Sequence, residues 1–473
     1  MTDCREGCSP RITCLATHAG RAGGAAIALE RLTAAMRAAG GSVSLVTRGD
    51  CEPPPAPARR LERLVRRRIR HARTARSNTM FTADWPAWDV ASHPAVAAAD
   101  LVNVHWVAGF LAAGGIRRIV EAGRPVAWTL HDMRPFTGGC HYSSGCSGFT
   151  AGCRACPQLA ARLAGLPPRV LAHGRRRLRG IPLTFIAPSR WLAGELVRSS
   201  LFDPLAHTVR VIPNGIDLDR YRPGDQAAAR RRLGLPSAGL GILLGSVSLD
   251  ERRKAATVAA EAVRLTAVAL ADRQAIPAPL VVTYGSGSLD IPGVACRHLG
   301  PLDEAGVLAA AHACDIHLTM AREDNLPNTV MEALACGLPV VASRTGGHPE
   351  MIADGVEGWL VEVDDAPAAA AVITRLAAEP ERMRAAATAA RRRAVAEWDD
   401  RLQARRYLEL AAELATSRTA LPRPAAVDPH RFTPALVAIH KGGLLRGPRR
   451  HFRRLTRSLW RSPGPLVAEG IHR

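Results

Sequence analysis

Asp324 and Glu332 stand eight residues apart in residues 324–347, DNLPNTVMEALACGLPVVASRTGG. An ionised carboxylate accepts several hydrogen bonds and donates none, so Glu332 on a helix can take both hydroxyls of a ribose. The polar loop Asn325, Leu326, Pro327, Asn328, Thr329 precedes that helix. An apolar run at 338–342 follows it, and then the turn Gly346-Gly347. Backbone N–H groups at such a turn and at a helix start can face phosphate or sugar oxygens. Acid, loop, acid on a helix, buried strand and Gly-Gly together suit the grip of a nucleotide-sugar.

Other residues could share that chemistry. Arg253 and Lys254 follow the apolar run 241–248 and open the next helical stretch. Their charges, with helix N–H groups, can converge on a diphosphate, and Arg252 is the outlying member. Gly285 and Gly287 close the run 279–285, in YGSGS. In the first half, Gly23 and Gly24 follow ITCLAT and allow a close backbone approach before a helix, although on this segment alone a strand–helix turn without ligand is the better reading. His131 and Asp132 end the run 126–132, where ligands collect in open α/β sheets. Cys140, Cys146, Cys153 and Cys156 are spaced C-x5-C-x6-C-x2-C. They could hold one structural zinc, with His141 as an alternative ligand, or remain thiols or disulfides that pack a loop.

The 324–347 block resembles the Glu-x7-Glu signature of family 4 retaining glycosyltransferases of the GT-B fold. The likeness runs from about Arg11 to the 410s and is strongest at 101–159 and 316–360, where it is similar to colanic-acid and other exopolysaccharide enzymes. Asp324 replaces the first glutamate, and Glu323 falls out of register. The resemblance implies that Glu332 holds ribose, Asp324 a sugar hydroxyl and 325–329 the sugar and phosphates. It places Gly24 across the cleft from the donor phosphates and His131 beside the transferred sugar. His131, Asp324 and Lys254 then form the catalytic set. The resemblance implies no protein base, since the leaving phosphate takes the acceptor proton. Arg253-Lys254-Ala255 resembles an Arg-Lys-Gly segment, with alanine for glycine.

At 473 residues and 47% apolar content the chain can bury two cores. Its net charge is +21. Residues 59–76 carry nine Arg against Glu62, and 441–461 carry Lys441 and seven Arg without an acid. Leu61, Leu64, Val65 and Ile69, and likewise Phe452, Leu455, Leu459 and Trp460, recur at helical spacing. Either helix could lie on an anionic membrane or turn its stripe to the core. Aromatics for stacking are too few for nucleic-acid binding. No apolar run reaches the eighteen or so residues of a membrane span, and no signal-peptide pattern opens the chain. This points to the cytoplasm, with peripheral contact at the inner membrane face. Eleven cysteines, an odd count, do not suggest a disulfide framework.

Short β-branched runs alternate with Ala- and Leu-rich stretches, the pattern of parallel sheets with crossover helices. Strands are expected at 11–17, 42–48, 101–107, 126–132, 183–189 and 209–213. A second set falls at 241–248, 279–285, 294–298, 315–320, 338–342 and 358–362. The fold expected is α/β, two Rossmann-like doubly wound domains facing across a cleft. They span 11–215, completed by a helix at about 395–416, and 216–394, with a Pro-rich linker and basic tail at 418–473. The function implied is sugar transfer from a nucleotide diphosphate donor to a saccharide acceptor, lipid-linked, in cell-surface polysaccharide synthesis. No metal cofactor is required for it. The alternative is a non-catalytic nucleotide-sugar-binding partner of a membrane assembly.

Overall fold

A computed structural model describes residues 9–20, 23–83, 88–271 and 278–416. Among the described residues, twelve strands form two sheets. The first joins β1 (Arg11–Ala16), β2 (Ser42–Thr47), β3 (Leu101–Val104), β4 (Val126–Thr129), β5 (Leu183–Ala187) and β6 (His207–Val211) in the order β2-β1-β3-β4-β5-β6. The second joins β7 (Gly241–Ser248), β8 (Leu280–Ser286), β9 (Ala295–His298), β10 (Ile316–Thr319), β11 (Val340–Ser343) and β12 (Gly358–Val361) in the order β12-β11-β10-β7-β8-β9.

Every pairing between named strands is parallel. Parallel neighbours need crossover connections, and helices on both faces bury the strands completely. Thus β3, β4, β5, β11 and β12 are buried at every position. Apolar clusters lie on both faces of each sheet, with Trp128 stacked on Phe185 at 5.8 Å in the first. Burial of side chains this large contributes about 1.5–3 kcal/mol each.

Strand order reverses between β1 and β3 in one sheet and between β7 and β10 in the other. Loops leaving a sheet at such a point part to opposite faces and leave a crevice at the carboxyl ends. These are the two fold-defined positions for a ligand.

The chain passes between the sheets twice. Ile216 N–H donates to the Trp398 carbonyl at 2.8 Å, and Asp400 N–H donates back to the Ile216 carbonyl at 3.2 Å. Gly215 is required there, because a Cβ would lie 2.5 Å from Asp400 Cα. Helix Asp400–Thr416 then returns to the first sheet, packing Ala404, Tyr407, Leu410 and Ala411 with Ile12, Leu29 and Met36.

The basic helix Ala56–Arg70 resolves one open expectation. Val65 and Ile69 are buried with Leu159, Leu163, Leu166 and Val170, so the stripe faces the protein. Seven arginines, 59, 60, 63, 66, 67, 68 and 70, stay exposed. The linker and the basic stretch 441–461 lie outside the described residues. Among the described residues no helix is long and apolar enough to cross a membrane.

Candidate active site

Both reversal points open into one cleft of about 930 Å³. From the first sheet it is lined by the start of helix Gly24–Ala38, by His105 and Trp106 beyond β3, and by His131, Asp132, His141 and Tyr142 beyond β4. From the second come Arg253 and Lys254 beyond β7, Tyr284 and Gly285 on β8, and Asp324 to Thr329 with Glu332 beyond β10.

Asp324 is buried, yet ionised. Lys254 Nζ lies 2.6 Å and Arg253 Nη1 3.0 Å from its Oδ2, and the Asn325 N–H donates to Oδ1 at 3.0 Å. Burial opposes its charge, but Arg253 and Lys254 outweigh this and hold the carboxyl well below the usual range. Arg253 is also fixed by Glu251 at 3.0 Å, by the Glu323 carbonyl at 2.7 Å and over the Tyr142 ring at 4.1 Å. A cation so preorganised loses little freedom on meeting an anion.

The neighbouring acid has another task. Glu323 does not line the cleft. It accepts from Ser143 N–H (3.1 Å), Ser143 Oγ (2.8 Å) and Ser144 N–H (2.7 Å), tying the second domain's acidic loop to the first domain's cysteine-bearing loop. Asp324, not Glu323, thus faces the cleft.

Glu332 projects from helix Asn328–Ala335 and receives Arg31 Nη2 at 2.7 Å. The same nitrogen donates to Tyr221 Oη at 2.8 Å, and Tyr221 donates to Glu304 at 3.2 Å. Asn328 Nδ2 donates to the Gly24 carbonyl at 3.1 Å, so the two first-turn segments meet across the cleft. Ser189 Oγ donates to Asn325 Oδ1 at 2.6 Å.

On the first-domain wall, Asp132 accepts from Trp106 Nε1 (2.8 Å), His141 Nδ1 (2.6 Å) and Arg134 N–H (2.9 Å). Burial pushes its carboxyl up, but these partners more than offset that and leave it below the usual range. Asp132 orients His141, whose Nε2 meets Thr82 Oγ1 at 2.9 Å. His131 sits beside them with Nε2 3.0 Å from His105 Nδ1, and burial lowers its pKa to about 4.

Of the residues expected from sequence, Gly24, His131, Arg253, Lys254, Gly285, Asp324 to Thr329 and Glu332 share the cleft. Gly346 and Gly347 do not. A Cβ on either would lie 1.7 Å from the carbonyl oxygen of Asp324 or Asn325, and the Gly347 N–H donates to the Asp324 carbonyl at 3.0 Å. They carry the acidic loop from behind instead of facing a phosphate. Gly287 lies against the Asp250 carboxylate, also outside the cleft. Arg252 turns away too, its guanidinium donating to the Ala75 carbonyl and its backbone N–H to Asn78 Oδ1 at 2.8 Å. Ala255 keeps the left-handed backbone (φ 50°) that a glycine would hold without strain.

Cys140, Cys146, Cys153 and Cys156 line a separate cavity of about 20 Å³. Among the described residues, however, no three His, Cys, Asp or Glu side chains are placed to hold a metal ion. His141 is committed to Asp132 and Thr82. Burial pushes the Cys153 thiol up to about 11 and raises Cys140 and Cys156 as well. The zinc expectation does not fit this donor set; the thiols pack the loop that carries Tyr142 and Ser143.

Sequence reasoning missed Arg31, His105, Trp106, Tyr142 and the clasp by Glu323. Arg31, on an otherwise Ala- and Leu-rich helix seven residues beyond Gly24, was the one available signal.

Comparison with known proteins agrees with this architecture. The Glycosyltransferase Family 4 model matches residues 22–220, and that for Glycosyl transferases group 1 matches 293–393; between them they take in more than half of the chain. D-inositol 3-phosphate glycosyltransferase of Saccharomonospora viridis is 32% identical over 206 residues, 40% of this chain and 46% of that protein. The Escherichia coli glycosyl transferase WcaC, named for colanic acid biosynthesis, is 27% identical over 238 residues, 48% of this chain and 54% of its own. The chain spans about half the length of the curated relatives it matches. Anabaena HepE, solved with UDP and glucose, superposes with a TM-score of 0.57 at 16% identity, over 85% of this chain and 99% of its own. The chain has the GT-B fold, and it is similar to family 4 glycosyltransferases, among them an enzyme named for exopolysaccharide synthesis.

Proposed function

We propose that this protein is a retaining glycosyltransferase that moves a sugar from a nucleotide diphosphate donor to a saccharide acceptor, lipid-linked, in cell-surface polysaccharide synthesis. The observation that carries the proposal is the pairing of Asp324 with Lys254 and Arg253 on one wall of the cleft, with Glu332 alongside. The cations meet the diphosphate, Glu332 the ribose and Asp324 a hydroxyl of the transferred sugar. The HepE complex with UDP and glucose supports a donor of this class, and WcaC supports the polysaccharide setting.

Transfer follows from charge placement. The bond from the anomeric carbon to the phosphate oxygen breaks as the acceptor oxygen bonds to the same face of that carbon. The acceptor proton passes to the departing phosphate oxygen. Lys254 and Arg253 stabilise the charge that grows on the diphosphate, which in a water-poor cleft is the larger part of catalysis. Asp132 is held by three donors and serves to orient His141 instead of acting as a base.

The exposed arginines of helix Ala56–Arg70 would hold the enzyme to an anionic bilayer by charge, worth about 1 kcal/mol each near the surface. The buried stripe means no apolar insertion by this helix. Arg→Gln changes at 59, 60, 63 and 67 should weaken co-sedimentation with anionic vesicles and spare transfer to a soluble acceptor.

A melting-temperature screen against UDP-, GDP- and dTDP-sugars identifies the donor, since a ligand of the native state raises the transition. The donor found is then assayed with saccharide and inositol phosphate acceptors, and the anomeric configuration of the product is read by NMR. The non-catalytic alternative predicts donor binding with no turnover by the wild-type protein; an inverted product rejects the retaining mechanism.

A further inference from the structure

His105 and His131 stand at the carboxyl ends of neighbouring strands, one directly after β3 and the other beyond β4. Nδ1 of His105 lies 3.0 Å from Nε2 of His131, with the ring centroids 5.3 Å apart. One hydrogen lies on that line, so one ring donates and the other accepts. The environment of His105 decides which. Its other nitrogen, Nε2, is buried and has no hydrogen-bond partner.

If His131 donated, neutral His105 would carry its own hydrogen on Nε2, a buried N–H with no acceptor. If His105 donates, Nε2 holds only a lone pair. Orphaned buried N–H groups are rarer in folded proteins than under-satisfied acceptors. A positive charge on either ring is opposed by burial, which lowers the pKa of both. The neutral pair with His105 donating therefore leaves the least unmet. It also fixes the remaining hydrogen of His131 on Nδ1, the nitrogen left for the cleft that His131 lines.

We infer that His105 is a positioning residue that locks His131 as the Nδ1–H tautomer, so that His131 offers a hydrogen-bond donor, not a base, to an oxygen of the bound donor sugar. The part that concerns the ligand rests on the transferase function proposed above. The tautomer itself does not.

Long-range 1H–15N correlation spectra of the full chain, with His131 assigned by loss of its signals in His131→Gln, should show hydrogen on Nδ1. His105→Asn keeps an N–H near the place of Nδ1 and should retain that tautomer and most of the turnover. His105→Leu removes the donor and should lower kcat/KM for the donor roughly 10- to 100-fold, as for one lost hydrogen bond to the sugar. His105→Asp accepts instead of donating and should move the hydrogen to Nε2 of His131. A wild-type spectrum with hydrogen on Nε2 overturns the assignment. So does a His105→Asn enzyme as impaired as His105→Leu when both melt like wild type. If the wild-type protein transfers no sugar, the functional proposal fails while the spectrum still decides the tautomer.

Discussion

Arg31 Nη2 lies 2.7 Å from Glu332 Oε1, an ion pair that joins the first helix of one domain to the acid-bearing helix of the other. Both side chains are about nine-tenths buried, and Arg31 Nε and Nη1 have no partner of their own. Removing one member of a buried pair strands the other charge and costs about 3–5 kcal/mol, whereas removing both costs far less. Arg31→Met should therefore lower the melting temperature sharply, and adding Glu332→Gln should recover part of the loss. Simple additivity of the two changes in a double-mutant cycle would show that the pair does not form in solution.

Lys254→Ala should reduce kcat about 10²- to 10³-fold, the usual loss when one preorganised donor to developing negative charge is deleted. Asp324→Asn should act in the opposite sense on binding. It releases Lys254 and Arg253 from their internal partner, so the nucleoside diphosphate of the donor identified by the screen should bind more tightly while transfer falls. Calorimetry with that nucleoside diphosphate beside steady-state assays separates the two effects; weaker binding of it by Asp324→Asn contradicts the assignment.

Gly346→Ala drives a Cβ to 1.7 Å from the Asp324 carbonyl at a φ of 55°. The acidic loop must shift, at about 1–3 kcal/mol from overpacking, and donor affinity should fall with it. Gly355→Ala is the control. Its φ is 82° but nothing lies within 4 Å of the new atom, so it carries backbone strain alone, about 1–2 kcal/mol, and should leave the donor KM unchanged. Both quantities come from thermal melts and donor titrations.

Burial depresses His131 and His317 to about 4 and lowers His105, His207 and His348 as well. Between pH 6.5 and about 4 the unfolded chain binds protons at these sites that the folded chain does not. Stability therefore falls as pH falls through that window, by up to about 1.4 kcal/mol per unit for each group. Asp324 adds nothing there, since its loss begins only below the ordinary aspartate range. Melts from pH 7.5 to 4.5 should show a steady decline below 6.5; a flat profile contradicts the buried neutral rings.

Much of the fold could be read from the chain because a parallel strand buried on both faces is a continuous apolar run. β4, β11 and β12 announce themselves in that way over most of their length. Two strands slip, the last of the first sheet from the expected 209–213 to His207–Val211 and β11 from 338–342 to Val340–Ser343. Glu332 and Lys254 were legible because their motif fixes their register. Arg31 was not, since its partner lies 301 residues away on another domain. Gly346-Gly347 misled because a glycine pair permits close approach without saying to what, and here the neighbour is the chain's own carbonyls. The stripe of helix Ala56–Arg70 was ambiguous until Leu159 to Val170 supplied the surface that covers it.

The return of helix Asp400–Thr416 to the first sheet bears on how the molecule is made. Tyr407 meets Thr129 at 3.1 Å, and Leu410 closes a layer with Ile12 and Met36. The lobe begun by the first strand thus stays unfinished on the ribosome until the entire second lobe has been translated. A gene fragment ending before Trp398 would yield a protein with an open apolar flank, and splicing at the Ile216 waist cannot exchange this half between relatives intact.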